Sequence, residues 1–361
     1  MSFKFILFAA IIILVYFLTC FYIGYNGWVW LKSTTLKGKG KKIYIGFFVM
    51  LAMSIFIEFG TSWSFFQWMS GYWMGVIGYS IILFPIANLL YYLLKKRGIF
   101  WIGSGVLAII TFIFILGSYN AWNPIIRNYD ISLSNQTESS SVKIMMASDL
   151  HLGEIVGTTH LQKLVEIAKE EKPDMILFAG DIIDDHIEPF IEKNMLEIFI
   201  NLQAPLGIYA VSGNHDVYGE DLEELQQELE RIGIHFLRDE ATLINNQFYL
   251  IGRKDLAEDH RKGSDSLTEG LDETKPIIML DHQPTELDQT ENAGVDLLLS
   301  GHTHNGQLAP ANLFTEKLFE NDWGYLKKDR LHSIVSSGYG TWGPPLRIGS
   351  RSEVLMINLN Y

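Results

Sequence analysis

The sequence has 361 residues, 48% of them hydrophobic, and a formal net charge of −13. The charge is unevenly distributed, because residues 1–141 contain 10 basic and 3 acidic side chains, whereas residues 142–361 contain 18 basic and 38 acidic ones. This composition excludes a single soluble globule, and it argues against nucleic-acid binding because the polar part of the chain would repel phosphate backbones. The one cysteine, Cys20, excludes an intramolecular disulfide.

The first 120 residues contain four apolar stretches that are long enough to cross a membrane, since a hydrocarbon core of about 30 Å needs about 20 helical residues. The predicted spans are residues 3–25, 43–66, 72–94 and 99–119. The first stretch is too long for a signal peptide and lacks a small-residue cleavage site. We therefore predict a four-helix transmembrane region over residues 1–120, in contact with membrane lipids.

The basic residues between these spans indicate their orientation. Several lysines lie between Lys32 and Lys42, and Lys95, Lys96 and Arg97 separate the third and fourth spans, whereas the loop at about residues 67–71 carries no charge. Because positively charged loops stay in the cytoplasm, we expect the region after the fourth span to lie on the extracytoplasmic side of the cell membrane. Glu58, the only acid in a span, is either a functional carboxylate or lies near a helix end and reaches the headgroups.

A polar, serine-rich stretch over residues 121–141 is interpreted as a linker. It contains Asn135-Gln136-Thr137, which matches the pattern of a glycosylation acceptor but is interpreted as a loop. From residue 142 to the end, short apolar strands alternate with amphipathic helices, which predicts a separate α/β domain. The predicted strands are residues 142–147, 175–179, 208–211, 242–245, 247–252, 277–280, 295–300, 333–336 and 353–358, and the predicted helices are 161–171, 192–202 and 222–232.

Five polar clusters follow the ends of apolar strands in this domain. They are Asp149-x-His151, Gly180-Asp181-x-x-Asp184, Gly213-Asn214-His215-Asp216, His282, and Gly301-His302-Thr303-His304. Sheets of α/β proteins bind their ligands at the carboxyl ends of strands. Imidazoles and carboxylates are the side chains that transition metals of intermediate hardness require. Each cluster alone is compatible with a turn or a satisfied loop, but the five together predict a metal site.

The five motifs, in this order, resemble the calcineurin-like metallophosphoesterase family over residues 142–361. The glycine-rich tail from Ser336 to Glu353 is similar to that of the membrane-associated bacterial branch of YkuE and YaeI type. The resemblance implies a two-sheet β-sandwich flanked by helices, so the expected fold is four transmembrane α-helices followed by an α/β metallophosphoesterase domain. It also implies two divalent metal ions, with Mn favoured and Fe or Zn as alternatives.

The resemblance implies a role for each matching residue. The metal ligands form two sets that share one carboxylate: Asp149, His151, Asp181 and His304 for one ion, and Asp181, Asn214, His282 and His302 for the other. His215 is expected to contact the substrate phosphate and to give a proton to the leaving oxygen, and Asp216 is expected to orient His215.

Several residues near these motifs keep two interpretations. Asp184 is either a hydrogen-bond partner of a metal ligand or a helix cap. Arg347 either binds an anionic group or pairs with a surface acid. Of the other histidines, only His186 lies near the mouth of the expected site. At Gly252-Arg253-Lys254-Asp255 the sequence departs from the family, because an acid is expected nearer the strand end.

Together these features predict a membrane-anchored, binuclear-metal phosphoesterase. Its substrate would be a phosphodiester, phosphomonoester or pyrophosphate, lipid-linked or at the cell surface. The alternatives are a broad ecto-phosphodiesterase for nucleotides and a non-catalytic membrane sensor or assembly protein. The presence of His215 beside a full ligand set argues against the non-catalytic alternative.

Overall fold

The computed structural model describes residues 3–36, 39–58, 63–133 and 140–361. The chain divides into two compact units. The helical unit consists of Met1–Gly117 together with Gly343–Leu346, and the sandwich unit consists of Ser118–Trp342 and Arg347–Tyr361. The boundary between the two units falls within the fourth helix, before the predicted linker.

Four helices begin the chain: α1 over Phe3–Ser33, α2 over Lys41–Glu58, α3 over Ser64–Leu93 and α4 over Ile99–Trp122. Among the described residues, three helices, α1, α3 and α4, are long and apolar enough to cross a membrane. The second predicted span, residues 43–66, corresponds to α2, which has 18 residues and carries Lys41, Lys42 and Glu58 at its ends. Its uncharged part is therefore shorter than the roughly 20 residues that a full span needs.

The predicted uncharged loop at residues 67–71 is wrong, because these residues lie inside α3. The Ser70 hydroxyl donates to the Gln67 carbonyl at 2.9 Å and also contacts the Glu58 carboxylate. Polar side chains that find partners in this way do not interrupt a helix. The segment Gly343–Leu346 belongs to the same unit, where Pro345 packs beside Gly71 of α3.

The sandwich unit contains twelve strands and eight further helices among its described residues. The strands are β1 Ile125–Ser132, β2 Ser141–Ala147, β3 Met175–Ala179, β4 Ile208–Val211, β5 Ile234–Phe236, β6 Glu240–Ile244, β7 Phe248–Gly252, β8 Ile277–Leu280, β9 Leu297–Ser300, β10 Gly324–Lys328, β11 Leu331–Val335 and β12 Glu353–Asn360. The helices are α5 Thr158–Glu171, α6 Glu188–Glu192, α7 Leu196–Phe199, α8 Asn214–Tyr218, α9 Leu222–Arg231, α10 Ser264–Thr268, α11 Leu287–Asn292 and α12 Asn312–Leu318, with a 3₁₀ turn at His304–Gly306.

The strands form two six-stranded mixed sheets, in the orders β1-β12-β2-β3-β4-β5 and β10-β11-β9-β8-β7-β6. The two inner faces pack against each other through fully buried side chains such as Ile144, Leu177, Leu250 and Leu299. A second core, which includes Phe178 and Phe199, lies between the first sheet and its helices. Most strands are parallel to a neighbour, so their carboxyl ends meet at one edge of the sandwich.

Three local differences from the sequence prediction concern short elements. The predicted linker contains β1, which pairs in parallel with β12 over its whole length. The predicted helix at 192–202 is interrupted, and α6 and α7 flank the break. The strands β5 and β10 and the helix α12 were not predicted, because each has at most seven residues and a weak apolar pattern. The Asn135-Gln136-Thr137 sequence lies outside the described residues.

Candidate metal centre

The five polar clusters lie at the carboxyl ends of β2, β3, β4, β8 and β9, where the two sheets end together. Asp149, His151, Asp181, His302 and His304 all have a positive φ angle. Left-handed backbone is unfavourable for residues with a side chain, and it persists where the surrounding structure holds it. Because the chain turns at these residues, their side chains do not alternate between the two faces of the sheet as they would in a continuing strand.

A first group of ligand-type atoms is formed by Asp149, His151 and His304, all buried. The Nε2 atoms of His151 and His304 face each other at 3.1 Å. His304 Nε2 lies 3.5 Å from Asp149 Oδ1. The other carboxylate oxygen of Asp149 accepts a hydrogen bond from the Ser148 hydroxyl, so the carboxylate is fixed before any ion binds.

A second group is formed by Asp181, His282 and His302. His282 Nε2 lies 3.1 Å from Asp181 Oδ2, and His151 Nε2 lies 3.7 Å from the same oxygen. Asp181 therefore stands between the two groups. The other ring nitrogen of His282, Nδ1, carries a hydrogen and donates it to the Ala179 carbonyl at 2.8 Å, which fixes the ring. Nε2 is therefore the ring nitrogen that would bind an ion. Burial lowers the pKa of His282, but the neighbouring carboxylates outweigh this and raise it well above its usual value, so a bound ion would displace a proton from Nε2.

The residues present fit a pair of divalent cations. The buried amide oxygen of Asn214 has no hydrogen-bond partner in the structure, and it belongs to the turn that carries His215. A buried polar atom without a partner is costly unless a ligand supplies one. Two imidazole nitrogens that face each other at 3.1 Å likewise suit a shared positive charge. Carboxylate oxygens, imidazole nitrogens and an amide oxygen are ligands that suit Mn, Fe or Zn.

The site concentrates negative charge where these cations would bind. Burial raises the pKa of Asp181, but the adjacent His282 outweighs this effect and holds the pKa of Asp181 below its usual range. Burial lowers the pKa of His302 to about 4, and the nearby His282 lowers it further in the same direction. Asp181 is therefore ionised and His302 neutral at neutral pH, the states in which both act as ligands.

His215 is oriented by Asp185, and the predicted contact with Asp216 is wrong. His215 Nδ1 lies 2.7 Å from Asp185 Oδ1. The Asp216 oxygens instead accept backbone N–H groups of Ile182, Ile183 and Gly213 at 2.8–3.0 Å. Asp216 is thus fully used in holding the loops after β3 and β4 together. Burial lowers the pKa of His215, but the hydrogen bond to Asp185 and the charges of the nearby carboxylates together outweigh burial, and the net pKa is raised.

Arg347 differs from both of its predicted roles. Its guanidinium is fully buried and donates to the Gly340 and Ser337 carbonyls. Nη2 lies 3.2 Å from His304 Nδ1. Burial lowers the pKa of Arg347 to about 10. The side chain therefore ties the glycine-rich tail to the back of a candidate ligand, and it reaches neither solvent nor a surface acid.

Asp184 and His186 are the two remaining residues whose roles the sequence left open. Asp184 Oδ1 lies 3.3 Å from His151 Nδ1, close enough for electrostatic attraction, but the two groups do not form a hydrogen bond. His186 is exposed and lies 3.7 Å from Asp221, away from the two ligand groups.

The family departure at Arg253 has a structural explanation. Arg253 and Arg261 both donate to Asp281 Oδ2, at 2.9 and 2.6 Å, and Asp281 directly precedes His282. The second arginine offsets the cost of burying this carboxylate, because a buried charge needs several partners. A buried network of ion pairs thus joins the loop after β7 to Asp281, the residue before His282.

Glycine is required at two positions because carboxylates occupy the space that a side chain would fill. A Cβ atom on Gly213 would lie 2.2 Å from Asp181 Oδ1. A Cβ atom on Gly301 would lie 2.4 Å from Asp149 Oδ2. Both distances are far shorter than any van der Waals contact, so these glycines allow the ligands to approach the backbone.

Sequence reasoning missed three residues around His215. Asp185 follows Asp184 directly, and the paired acids were the available signal. The rings of Trp342 and Tyr218 each lie 5.5 Å from the His215 ring, and their side chains are 54% and 62% exposed. An isolated aromatic residue in a loop gives no sequence signal of this kind.

Comparison with known proteins gives consistent matches. Residues 142–306 match the family described as Calcineurin-like phosphoesterase. An Aquifex aeolicus protein named as an uncharacterized metallophosphoesterase is 33% identical over 65% of this chain and 91% of its own length. Phosphodiesterase YaeI of Escherichia coli is 29% identical over 60% of this chain and 82% of its length. A Danio rerio transmembrane protein with metallophosphoesterase domain is 30% identical over 68% of this chain. The chain spans about 60% of that relative, and similar shares of several others.

Proposed function

The chain belongs to the calcineurin-like metallophosphoesterase family of metal-dependent phosphoric ester hydrolases, and on this premise we propose that the whole protein is a membrane-anchored phosphodiesterase of lipid-linked substrates. The observation that carries the proposal is the convergence of two ligand groups on Asp181, next to a histidine held by its own acid. Such an arrangement suits in-line displacement at phosphorus, in which charge develops on both entering and leaving oxygens.

We assign the ligands to two sites. Asp149, His151 and His304 would hold one cation, Asn214, His282 and His302 would hold the other, and Asp181 would contribute to both. When bound, two divalent ions supply charge neutralisation for the phosphate and lower the pKa of attacking water. We favour Mn²⁺, and metal analysis of the purified protein decides between Mn, Fe and Zn.

His215 is assigned as the proton donor. The ionised Asp185 carboxylate can only accept, so His215 donates through Nδ1 and its Nε2 carries the transferable proton. The pKa of His215 is raised, chiefly through its hydrogen bond to Asp185, which favours the protonated ring. A proton donor close to the leaving oxygen contributes most when that oxygen is a poor leaving group.

Two exposed aromatic rings favour a substrate with an apolar part. The rings of Trp342 and Tyr218 both lie near the His215 ring, each with its centroid 5.5 Å from that of His215. Aromatic side chains that remain exposed beside a polar site offer an amphipathic surface of the kind found at membrane interfaces. Together with the apolar helices of the same chain, they favour a phosphodiester carried by a lipid.

Substrate preference tests the proposal. The full-length protein is reconstituted with Mn²⁺ and given a membrane lipid extract, and hydrolysis is compared with that of soluble nucleotide diesters. We expect faster hydrolysis of a lipid component, and none with Asp181→Asn. Preference for soluble nucleotides would replace the proposal with a broad ecto-phosphodiesterase. A cellular phenotype that survives both Asp181→Asn and His215→Ala would indicate a non-catalytic role.

The orientation depends on α2. If the basic segment around Lys41 and the turn at Lys95–Arg97 both face the cytoplasm, α2 and α3 must each cross the membrane. We propose that α2 does cross, as a short fourth span, and that the sandwich unit is extracytoplasmic. A Cys20→Ser background with Asp288→Cys, whose side chain is 77% exposed, gives one reporter thiol. Labelling of intact cells by an impermeant maleimide is expected, and labelling only after lysis would reverse the orientation.

A further inference from the structure

The helical unit contains a cavity of about 440 Å³ between α1, α3 and α4. Its walls are largely apolar or aromatic, with Trp30 from α1, Ala87 and Tyr91 from α3, and a row from Ile99 to Ile110 on α4. None of these residues belongs to the metal centre. An apolar cavity in helices that are long enough to cross a membrane is accessible to the chains of the surrounding lipid.

The dimensions of the cavity match one lipid chain. The lining row from Ile99 to Ile110 rises about 16 Å along α4 at 1.5 Å per residue, which is about half of a 30 Å hydrocarbon core. If a methylene group fills about 30 Å³, as a water molecule does in the liquid, the cavity of 440 Å³ holds about 15 of them. This is the length and volume of one acyl chain from a single leaflet.

One end of the cavity lies beside a cluster of positive charge. The lining residues Tyr91 and Ile99 flank the turn that carries Lys95, Lys96 and Arg97, all exposed. Trp30 lines the same end and its indole donates to Ser104 of α4 at 3.2 Å, which brings the last turn of α1, with Lys32, to this side. No acidic side chain lines the cavity. Basic residues at the end of an apolar cavity between helices favour a negatively charged lipid headgroup.

We propose that this cavity binds one acyl chain of an anionic phospholipid, whose phosphate is held by the basic turn at Lys95–Arg97. The lipid occupies the leaflet on the side of that turn. A neutral phospholipid would fill the same volume without gaining from the basic residues. A second copy of the chain would need a helix in place of the lipid, and a cavity about one acyl chain wide does not admit one.

Lipid retention measures the proposal directly. The full-length protein is exchanged into detergent with phosphatidylglycerol or phosphatidylcholine of matched chains, and bound lipid is counted by native mass spectrometry. We expect one retained phosphatidylglycerol and at least a tenfold preference over phosphatidylcholine. Replacing all three basic residues by glutamine (K95Q, K96Q, R97Q) should remove most of this preference, at about fivefold per residue. The control K41Q, K42Q removes two charges at the start of α2 and should leave it unchanged.

A second pair of variants tests whether an acyl chain occupies the cavity. Ala87→Phe places a ring inside the cavity, so a full acyl chain no longer fits, and retention of either lipid should fall sharply, whereas Ile86→Phe enlarges an exposed neighbour that is not in the lining and should retain lipid normally. Equal retention of the two lipids by the unaltered protein would overturn the headgroup assignment. Retained lipid in a folded Ala87→Phe protein would overturn the cavity assignment. A dimer that dissociates on Ala87→Phe would identify the occupant as a second copy. If Ala87→Phe does not fold, the glutamine variants still test the proposal through the preference for phosphatidylglycerol.

Discussion

Replacing Asp185 by asparagine removes the charge that holds the imidazole of His215, the proposed proton donor. The carboxylate lies 2.7 Å from His215 Nδ1, and the amide has almost the same shape. The substituted side chain can still accept a hydrogen bond through its amide oxygen, but it no longer stabilises the protonated ring. The variant therefore alters proton transfer while leaving the ligand groups around Asp181 in place.

The expected loss is modest and selective. A hydrogen bond between charged partners contributes about 1.5–3 kcal/mol. Because the Asp185 side chain is 43% exposed, solvent screening favours the lower end of that range. A loss of about 1.4 kcal/mol in transition-state stabilisation corresponds to a tenfold fall in kcat/KM. The loss applies only where the leaving oxygen needs a proton, so it should be found with alkyl esters and not with p-nitrophenyl esters.

Paired substrates and a pH profile measure this effect. We expect Asp185→Asn to lower kcat/KM about tenfold for an alkyl phosphodiester and less than threefold for bis-p-nitrophenyl phosphate. Asp185 contributes to the raised pKa of His215. If the protonated ring is the proton donor, as proposed, activity falls as the pH rises through that pKa. Removing the acid should therefore move the alkaline limb of the profile to lower pH.

The matched control is Asp216→Asn. Its carboxylate accepts three backbone N–H groups, so the amide leaves at least one of them unpaired at a cost of about 1–3 kcal/mol. We expect a lower unfolding temperature for Asp216→Asn without a change in leaving-group dependence. Equal losses of Asp185→Asn on both substrates, with an unmoved alkaline limb, would refute the assignment of Asp185. Leaving-group dependence in Asp216→Asn would restore the original expectation for that residue.

Three further predictions concern stability and metal binding. Chelation should abolish hydrolysis and lower the unfolding temperature, with both restored by Mn²⁺, because ions bound only to the folded state stabilise it; unchanged melting after complete metal removal would contradict this. Gly213→Ala should reduce metal affinity at least tenfold by displacing Asp181, whereas Gly157→Ala, where a Cβ atom meets nothing within 4 Å, should bind metal normally. Burial lowers the pKa of His160 to about 4, below its ordinary 6.5, so its neutral ring stabilises the fold above pH 6.5 and this contribution is lost as the pH falls toward 4. His160→Gln should therefore show a smaller drop in unfolding temperature between pH 7 and 4 than the unaltered protein.

The candidate ligands could be predicted because each follows an apolar strand in a short motif. Asp149, Asp181 and His282 needed only the inference that parallel strands end at the same edge. The partner of His215 could not be obtained in this way. Asp216 is adjacent in sequence, but a neighbour on a helical turn points elsewhere, and Asp185 arrives from another loop. Which acid meets an imidazole is decided by packing between loops, and spacing along the chain does not encode it.

The helical region shows a similar division. Apolar length predicted α1, α3 and α4, because burial in lipid depends on composition alone. The start of α3 was misplaced because Gln67 and Ser70 look like loop residues until the partners of Ser70 are known. The role of Arg347 was likewise missed, since a buried guanidinium on backbone carbonyls has no sequence pattern.

The strand β1 matters when the sandwich unit is produced without the helical unit. All eight of its residues, Ile125–Ser132, pair with β12, and Arg127 is bonded to Glu353 on that strand. A truncated form that starts at residue 142, or a proteolytic cut in the preceding segment, would strip this cover from β12. The bare edge would present a row of unpaired amides and carbonyls to other chains, which is a template for aggregation. A form that begins at Ser118 keeps β12 paired on both sides and leaves the eight-residue β1 as the edge strand, so the residues after the helical unit belong to the sheet and do not form a free linker.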